Sequence, residues 1–301
     1  MDDRIEILPV TLLDQHREIV NSLRRLAGSL RLEFGWHYLL DLTWMIARLG
    51  EVRNLKIMDA GAGTGIMQWY LAGQGAHVLS VDRESRAGLP LRFRLRYRVS
   101  GLRPHDLLPV GEATRLHTVQ QVRLSRRAAG TLLRIGGEGM PRRFDAALAR
   151  GQGRVVIYNQ DLKELPDVPT GSLDGVVAVS SLEHNDPPDL ERVVVELLRV
   201  LRPGGVLLAT LGASREGDWF HEPSRGWCYD EGSLRRAFGL SPDVPSNYSQ
   251  YDELFAALRS SRELRDHLAS FYARSGDNGM PWGVWDPRYQ PVGVCKVKRD
   301  G

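Results

Sequence analysis

The sequence predicts an open α/β sheet, mostly parallel and covered on both faces, and three observations carry that expectation. An apolar run at Ile57, Met58 and Ala60 breaks into a glycine turn and then into helix-forming residues from Ile66 to Ala72. A second apolar run, His77 to Val81, ends on Asp82, 17 residues after Gly65. Further along, Val155 to Ile157, Gly175 to Val179 and Val206 to Thr210 repeat the strand pattern, with an amphipathic helix from Leu190 to Leu201 before the last. Strands alternating with helices in this way build a parallel sheet, whose carboxyl edge is where ligands bind.

The glycine turn narrows the choice of ligand. Glycines at 61, 63 and 65 remove side chains that would hold a ligand off the backbone, and they permit positive φ. Asp82 then stands where a carboxylate accepts hydrogen bonds from both hydroxyls of a ribose. A dinucleotide site would need its third glycine at 66, which is Ile66. The spacing is instead acid-x-Gly-x-Gly-x-Gly, with Asp59 two residues before the first glycine.

That pattern resembles motif I of the class I S-adenosylmethionine-dependent methyltransferases. Asn159-Gln-Asp161-Leu162 follows the third strand where the family places an acid against the adenine amine. The stretches SLDGVVAVSSLEH and ELLRVLRPGGVLLATL look like the small-molecule, type-11-like subgroup. The resemblance covers roughly 55–212 and implies a doubly wound Rossmann-like sheet of about seven strands. It implies S-adenosyl-L-methionine as cofactor and S-adenosyl-L-homocysteine as product. Carried over residue by residue, the cofactor site is Asp59, Gly61, Ala62, Gly63, Gly65, Asp82, Arg83, Asp161, Leu162 and Ser180.

Bulk properties are those of a cytoplasmic enzyme. Two cysteines in 301 residues, Cys228 and Cys295, make no disulfide framework. No apolar run approaches the roughly 20 residues of a membrane span, and the Met-Asp-Asp-Arg-Ile-Glu start does not read as a signal peptide. Residues 1–50 are expected as an N-terminal helical cap, with apolar positions at helical spacing over Leu12 to Leu32 and Trp36 to Leu49. Residues 51–301 form the methyltransferase domain, with a helical excursion at about 251–275 and a last strand at Val292 to Val297.

Charge is distributed unevenly. From Glu84 to Arg154 there are 15 arginines and five acids, a net +10 that leaves −7 for the rest of a chain of net charge +3. Asp82 and Asp161 lie 79 residues apart, far more than one helix and a strand need, so an insertion is expected at about 87–150. Within it Leu91 to Val99 alternates apolar residues with arginines, which reads as a strand with an arginine face. Such a face deters edge pairing or, with Arg94 and Arg96, combs a phosphate. Gly136 to Pro141 reads as a turn or a lid.

The acceptor side is drawn from the flanks. Trp36, His37 and Tyr38 open the second cap helix, and Trp219, Arg225 and Tyr229 lie in the aromatic segment after the fifth strand, so these six are the candidate acceptor contacts. His184, at the ligand edge, is the first candidate general base; His221 is the second and His37 the third. The short motifs Gly35-Trp-His-Tyr38 and Met280-Pro-Trp-Gly-Val-Trp285 are similar to enzymes of bacterial surface-polysaccharide pathways, which implies a carbohydrate hydroxyl as acceptor. No metal-ligand pattern is evident, and a homo-oligomer is left open. One alternative is a nucleic-acid methyltransferase using the basic insertion, but Asn185-Asp186-Pro187-Pro188 is followed by Asp189 where base stacking needs a ring. Another is a non-catalytic protein that binds S-adenosylmethionine.

Overall fold

A computed structural model describes residues 1–113 and 153–299. The chain begins with β1 (Arg4–Ile7), α1 (Leu12–Gln15), α2 (Arg17–Leu30) and α3 (Tyr38–Leu49). The core follows as β2 (Lys56–Ala60), α4 (Met67–Gly73), β3 (His77–Asp82), α5 (Leu91–Arg96), β4 (Arg98–Gly101), β5 (Arg154–Asn159) and β6 (Leu173–Val179). After these come α6 (Pro187–Val200), β7 (Leu201–Ala213), β8 (Trp219–His221), β9 (Gly226–Tyr229), α7 (Glu231–Ala237), α8 (Tyr251–Arg259), α9 (Arg262–Asp266) and β10 (Gln290–Val297).

The sheet runs β1-β10-β7-β6-β2-β3-β5-β4. Pairings from β7 to β4 are parallel, and β10 enters antiparallel to both β7 and β1. Strand β9 pairs with Gly212 and Ala213, past the point where β6 ends on the same side of β7. Side-chain alternation splits each central strand between two cores. Ile57, Val78, Val177 and Leu208 face one with α2, α3, α4 and α5, while Met58, Val81, Val176 and Leu207 face the other with α6 and α7. Burial on both faces explains why these strands are apolar at nearly every position.

The N-terminal segment is more than a helical cap. Ile5 and Ile7 of β1 are fully buried and complete the sheet edge beside β10, a strand the short run Arg4-Ile-Glu-Ile7 did not announce. The helical excursion expected at about 251–275 is broken into α8, α9 and a 3-10 turn at Ser270–Arg274; the Ser261 hydroxyl accepts the Leu264 N–H at 3.3 Å and starts α9 afresh.

The expected arginine-faced strand at Leu91–Val99 is overturned. Residues Leu91–Arg96 are helical, and only Arg98–Gly101 is extended, pairing with β5. Phe93 and Tyr97, four residues apart, both pack on Trp69, with ring centroids at 4.7 and 4.9 Å. Leu95, which a strand would have placed beside them, is 75% exposed. The i,i+4 pair of rings therefore outweighs the alternation. Arg94 spends its guanidinium on the carbonyls of Leu89, Leu108 and Ala87 at 3.0, 2.5 and 3.0 Å, and Arg96 bonds Ser29. The rest of the insertion, with the Gly136–Pro141 turn, lies outside the described residues. Among the described residues no helix is long and apolar enough to cross a membrane.

Candidate active site

The glycine turn sits where β2 and β3 end. Gly61 and Ala62 both donate to the Val81 carbonyl at 2.9 Å, and Gly61 and Gly63 take φ of +70° and +46°. A side chain at Gly61 would stand 2.4 Å from Ser181 Cβ, so this glycine is required by the close approach of the turn after β6. Gly65 donates to the Ala62 carbonyl at 2.8 Å and is exposed. Asp82 Oδ2 accepts the Gly63 N–H at 2.7 Å and Oδ1 accepts the Glu84 N–H at 2.8 Å.

Beneath this turn lies a polar network that the sequence reading did not include. The Gln68 amide donates to the Gly65 carbonyl at 3.1 Å and accepts from the Ser80 hydroxyl at 2.7 Å. Arg86, 6% exposed, bonds the Ser80 hydroxyl, the Ser80 carbonyl at 2.7 Å and the Tyr158 carbonyl at 3.2 Å. Asp59 is buried here rather than at the surface of the cleft. Burial pushes its carboxyl up to about 7 against the pull of Arg86 and a Gln68 backbone N–H. A glutamine inside an otherwise apolar helix was the available signal for Gln68; nothing local marked Arg86.

The cradle fits the nucleoside half of S-adenosylmethionine. Each Asp82 oxygen accepts one backbone N–H and keeps lone-pair capacity, which suits two ribose hydroxyls. Asp161 is exposed at the end of β5, its Oδ1 accepting the Lys163 N–H at 2.9 Å, and Leu162 beside it is half-buried. Arg83 is exposed and Ala62 is buried. Ser180 is buried with φ +45°, and its hydroxyl donates to Glu183 Oε1.

The acceptor candidates divide into two groups. Trp36, His37, Trp219 and His221 come together with Tyr289, a ring the sequence reading did not single out. The ring centroids are 4.6 Å apart for Trp36 and His37, 5.6 Å for His37 and Tyr289, 5.2 Å for Tyr289 and His221, and 5.6 Å for His221 and Trp219. Tyr38 lies against His37 at 5.3 Å. His37 Nδ1 donates to Asp41 Oδ2 at 2.7 Å, and the Tyr289 hydroxyl lies 3.3 Å from Nε2. Burial alone would lower the His37 pKa, but the charge and hydrogen bond of Asp41 raise it above the ordinary value. His221, held by Ser224 at 2.7 Å, is lowered by burial and then by Arg288. The remaining candidates lie apart from these rings. Tyr229 is fully buried in the opposite core with its hydroxyl on the Asn185 carbonyl. Arg225 is exposed, and its carbonyl takes His184 Nδ1 at 2.8 Å.

Residues 127–209 match the family model described as a methyltransferase domain; of these, 153–209 are described and run from the start of β5 into β7. A search of curated proteins finds no match. Among solved structures, the [4+2]-cyclase SpnF is 16% identical with all of both chains covered and a TM-score of 0.46. The Haemonchus contortus phosphoethanolamine N-methyltransferase 2, in complex with S-adenosyl-L-methionine, is 16% identical over 96% of this chain and 60% of that chain, with a TM-score of 0.45. The Burkholderia thailandensis 1,6-didemethyltoxoflavin-N1-methyltransferase, with bound S-adenosylhomocysteine, is 15% identical over 97% and 85% of the two chains, with a TM-score of 0.39. Likenesses at this level carry no argument about substrate. Residues 127–209 are thus similar to the methyltransferase-domain family, and the described part of them lies on a mostly parallel sheet of Rossmann-like order.

Proposed function

We propose that this protein transfers a methyl group from S-adenosyl-L-methionine to a small-molecule acceptor, with a sugar hydroxyl as the acceptor class. The observation that carries the first part is Asp82, fixed by the Gly63 N–H at the end of β3 and placed on the same sheet edge as Asp161. Asp82 would hold the ribose hydroxyls, Asp161 the adenine amine, and the bare backbone at Gly63 would let the nucleoside approach. When bound, the cofactor supplies a methyl group already activated on a sulfonium sulfur.

The protein's own task is then to orient the acceptor, exclude water and remove a proton. Alignment accounts for several kcal/mol of barrier lowering in reactions of this kind. The edge-to-face rings of Trp36, His37, Tyr289, His221 and Trp219 would form the acceptor wall, an aromatic surface against which a sugar ring would rest. His221 lies in this wall, bonded to Ser224, with its pKa lowered by burial and then by Arg288. His184 supports the loop through Arg225.

Calorimetry with S-adenosylmethionine and S-adenosylhomocysteine tests the cofactor, and release of S-adenosylhomocysteine in the presence of nucleoside-diphosphate sugars or of generic RNA tests the acceptor. Turnover with the sugars is the expected result. Turnover with RNA alone, with a steep salt dependence of RNA binding, would transfer the assignment to nucleic acid.

A further inference from the structure

Glu183 is a buried carboxylate that the cofactor cradle does not use. It stands in the helical turn Leu182–His184 after β6, two residues beyond Ser181, whose hydroxyl donates to the Ala60 carbonyl at 2.8 Å. Because a Cβ at Gly61 would collide with Ser181, the turn bearing Glu183 is pressed against the glycine loop itself. On the other side lies the aromatic wall: the carboxylate interacts electrostatically with His37 and Tyr38 of the cap and with Tyr289 before β10. It also faces Cys228 and Tyr229 of β9 and His184 of its own turn. Glu183 thus lies between the place where the cofactor binds and the place where the acceptor is enclosed.

Its bonding is incomplete in a specific way. The side chain is 7% exposed, Oε1 accepts the Ser180 hydroxyl, and Oε2 has no partner among the described residues. Gly226 of β9 makes room for it, since a Cβ there would stand 3.1 Å from Glu183 Cγ. A buried carboxylate oxygen without a donor is costly, and an acceptor hydroxyl at this place would supply the missing hydrogen. The rival bases differ: His184 is exposed and bound to the Arg225 carbonyl, and His221 is bound to Ser224.

We propose that Glu183 faces the reacting methyl group and takes the acceptor's proton on Oε2, an assignment that rests on the methyltransferase reading above. In the step, the acceptor O–H bond breaks and its proton passes to Oε2. The freed electron pair forms the bond to the methyl carbon, and the carbon–sulfur bond breaks with its pair going to sulfur, leaving a neutral thioether. Burial, the largest influence, holds the Glu183 carboxyl above the ordinary range, while His184, the Ser180 hydroxyl, its own backbone N–H and His37 pull it down. A carboxylate held above its ordinary range is a stronger proton acceptor than a solvated one.

The test uses the cofactor and its product as probes and needs no acceptor. S-adenosylmethionine carries the sulfonium charge that S-adenosylhomocysteine lacks, so the ratio of their affinities reports negative charge near the sulfur. Calorimetry of both from pH 5 to 8 is expected to show this ratio in favour of S-adenosylmethionine rising about tenfold in the parent protein, and to show a loss of most of that rise in Glu183→Gln. His37, Asp41 and His184 also carry charge near Glu183, and the difference between parent and variant isolates the part due to Glu183. Ser180→Ala, which removes the hydrogen bond to Oε1, is expected to move the midpoint to higher pH and serves if Glu183→Gln does not fold. A flat ratio in the parent, or a full rise retained in Glu183→Gln, overturns the assignment alone. If the parent binds neither ligand, the methyltransferase reading falls and this assignment with it.

Discussion

Asp82 Oδ2 accepts the Gly63 N–H at 2.7 Å, which ties the end of β3 to the turn after β2. The contact requires Gly63 at φ +46°, a conformation that L side chains rarely adopt. Gly63→Ala is therefore expected to strain the turn by about 1–2 kcal/mol, and to weaken S-adenosylmethionine binding through loss of the Asp82 alignment. Calorimetry and a urea melt measure the two effects separately; unchanged affinity would show that the turn does not contact the cofactor.

Asp59 gives the protein a pH dependence of definite sign. Its carboxyl, pushed up to about 7 by burial, is favoured in its protonated form on folding. The associated stability is present below the ordinary carboxylate pKa and is lost as the pH rises through about 7. Asp59→Asn is expected to make the melting temperature less sensitive to pH between 5 and 8. An unchanged slope would contradict the assignment.

His37 and Asp41 form a buried pair, four residues apart, at the start of α3. The raised pKa of His37 contributes stability below its ordinary value near 6.5 that is lost as the pH rises through the folded value. With Asp41→Asn, burial is left as the main influence, and the His37 titration followed by NMR is expected to shift to lower pH. A midpoint that stays in place would place the cause of the shift elsewhere.

Arg94 is a structural residue of the segment between β3 and β4. Arg94→Ala leaves the carbonyls of Ala87, Leu89 and Leu108 without their charged donor, and a destabilisation of about 1–3 kcal/mol in urea is expected. A variant as stable as the parent would return this arginine to the pool of candidate ligand contacts.

The central strands and the glycine turn were legible because burial on both faces leaves long apolar runs, and because close backbone approach leaves glycines. The order of Ile57, Val78, Val155, Val176 and Leu207 along the chain fixed the parallel sheet. Less was legible where an element is short or its signal is shared. Strand β1 offers only Ile5 and Ile7, and the run from Leu91 to Tyr97 satisfies the strand period while its rings at 93 and 97 pack as a helix. Spacing also put Asp82 at the carboxyl end of its strand, where β3 ends. Arg86 and Tyr289 depend also on contacts between distant segments, as the bond of Arg86 to the Tyr158 carbonyl and the 3.3 Å approach of Tyr289 to His37 show.

The most direct test is the binding of S-adenosylmethionine to the parent protein and to Asp82→Ala. Both oxygens of Asp82 are held by backbone donors at the sheet edge, so the account expects binding by the parent and a loss of at least about tenfold in the variant, the effect of removing charge-assisted hydrogen bonds to two hydroxyls. Equal binding by the two proteins, or none by the parent, would contradict it.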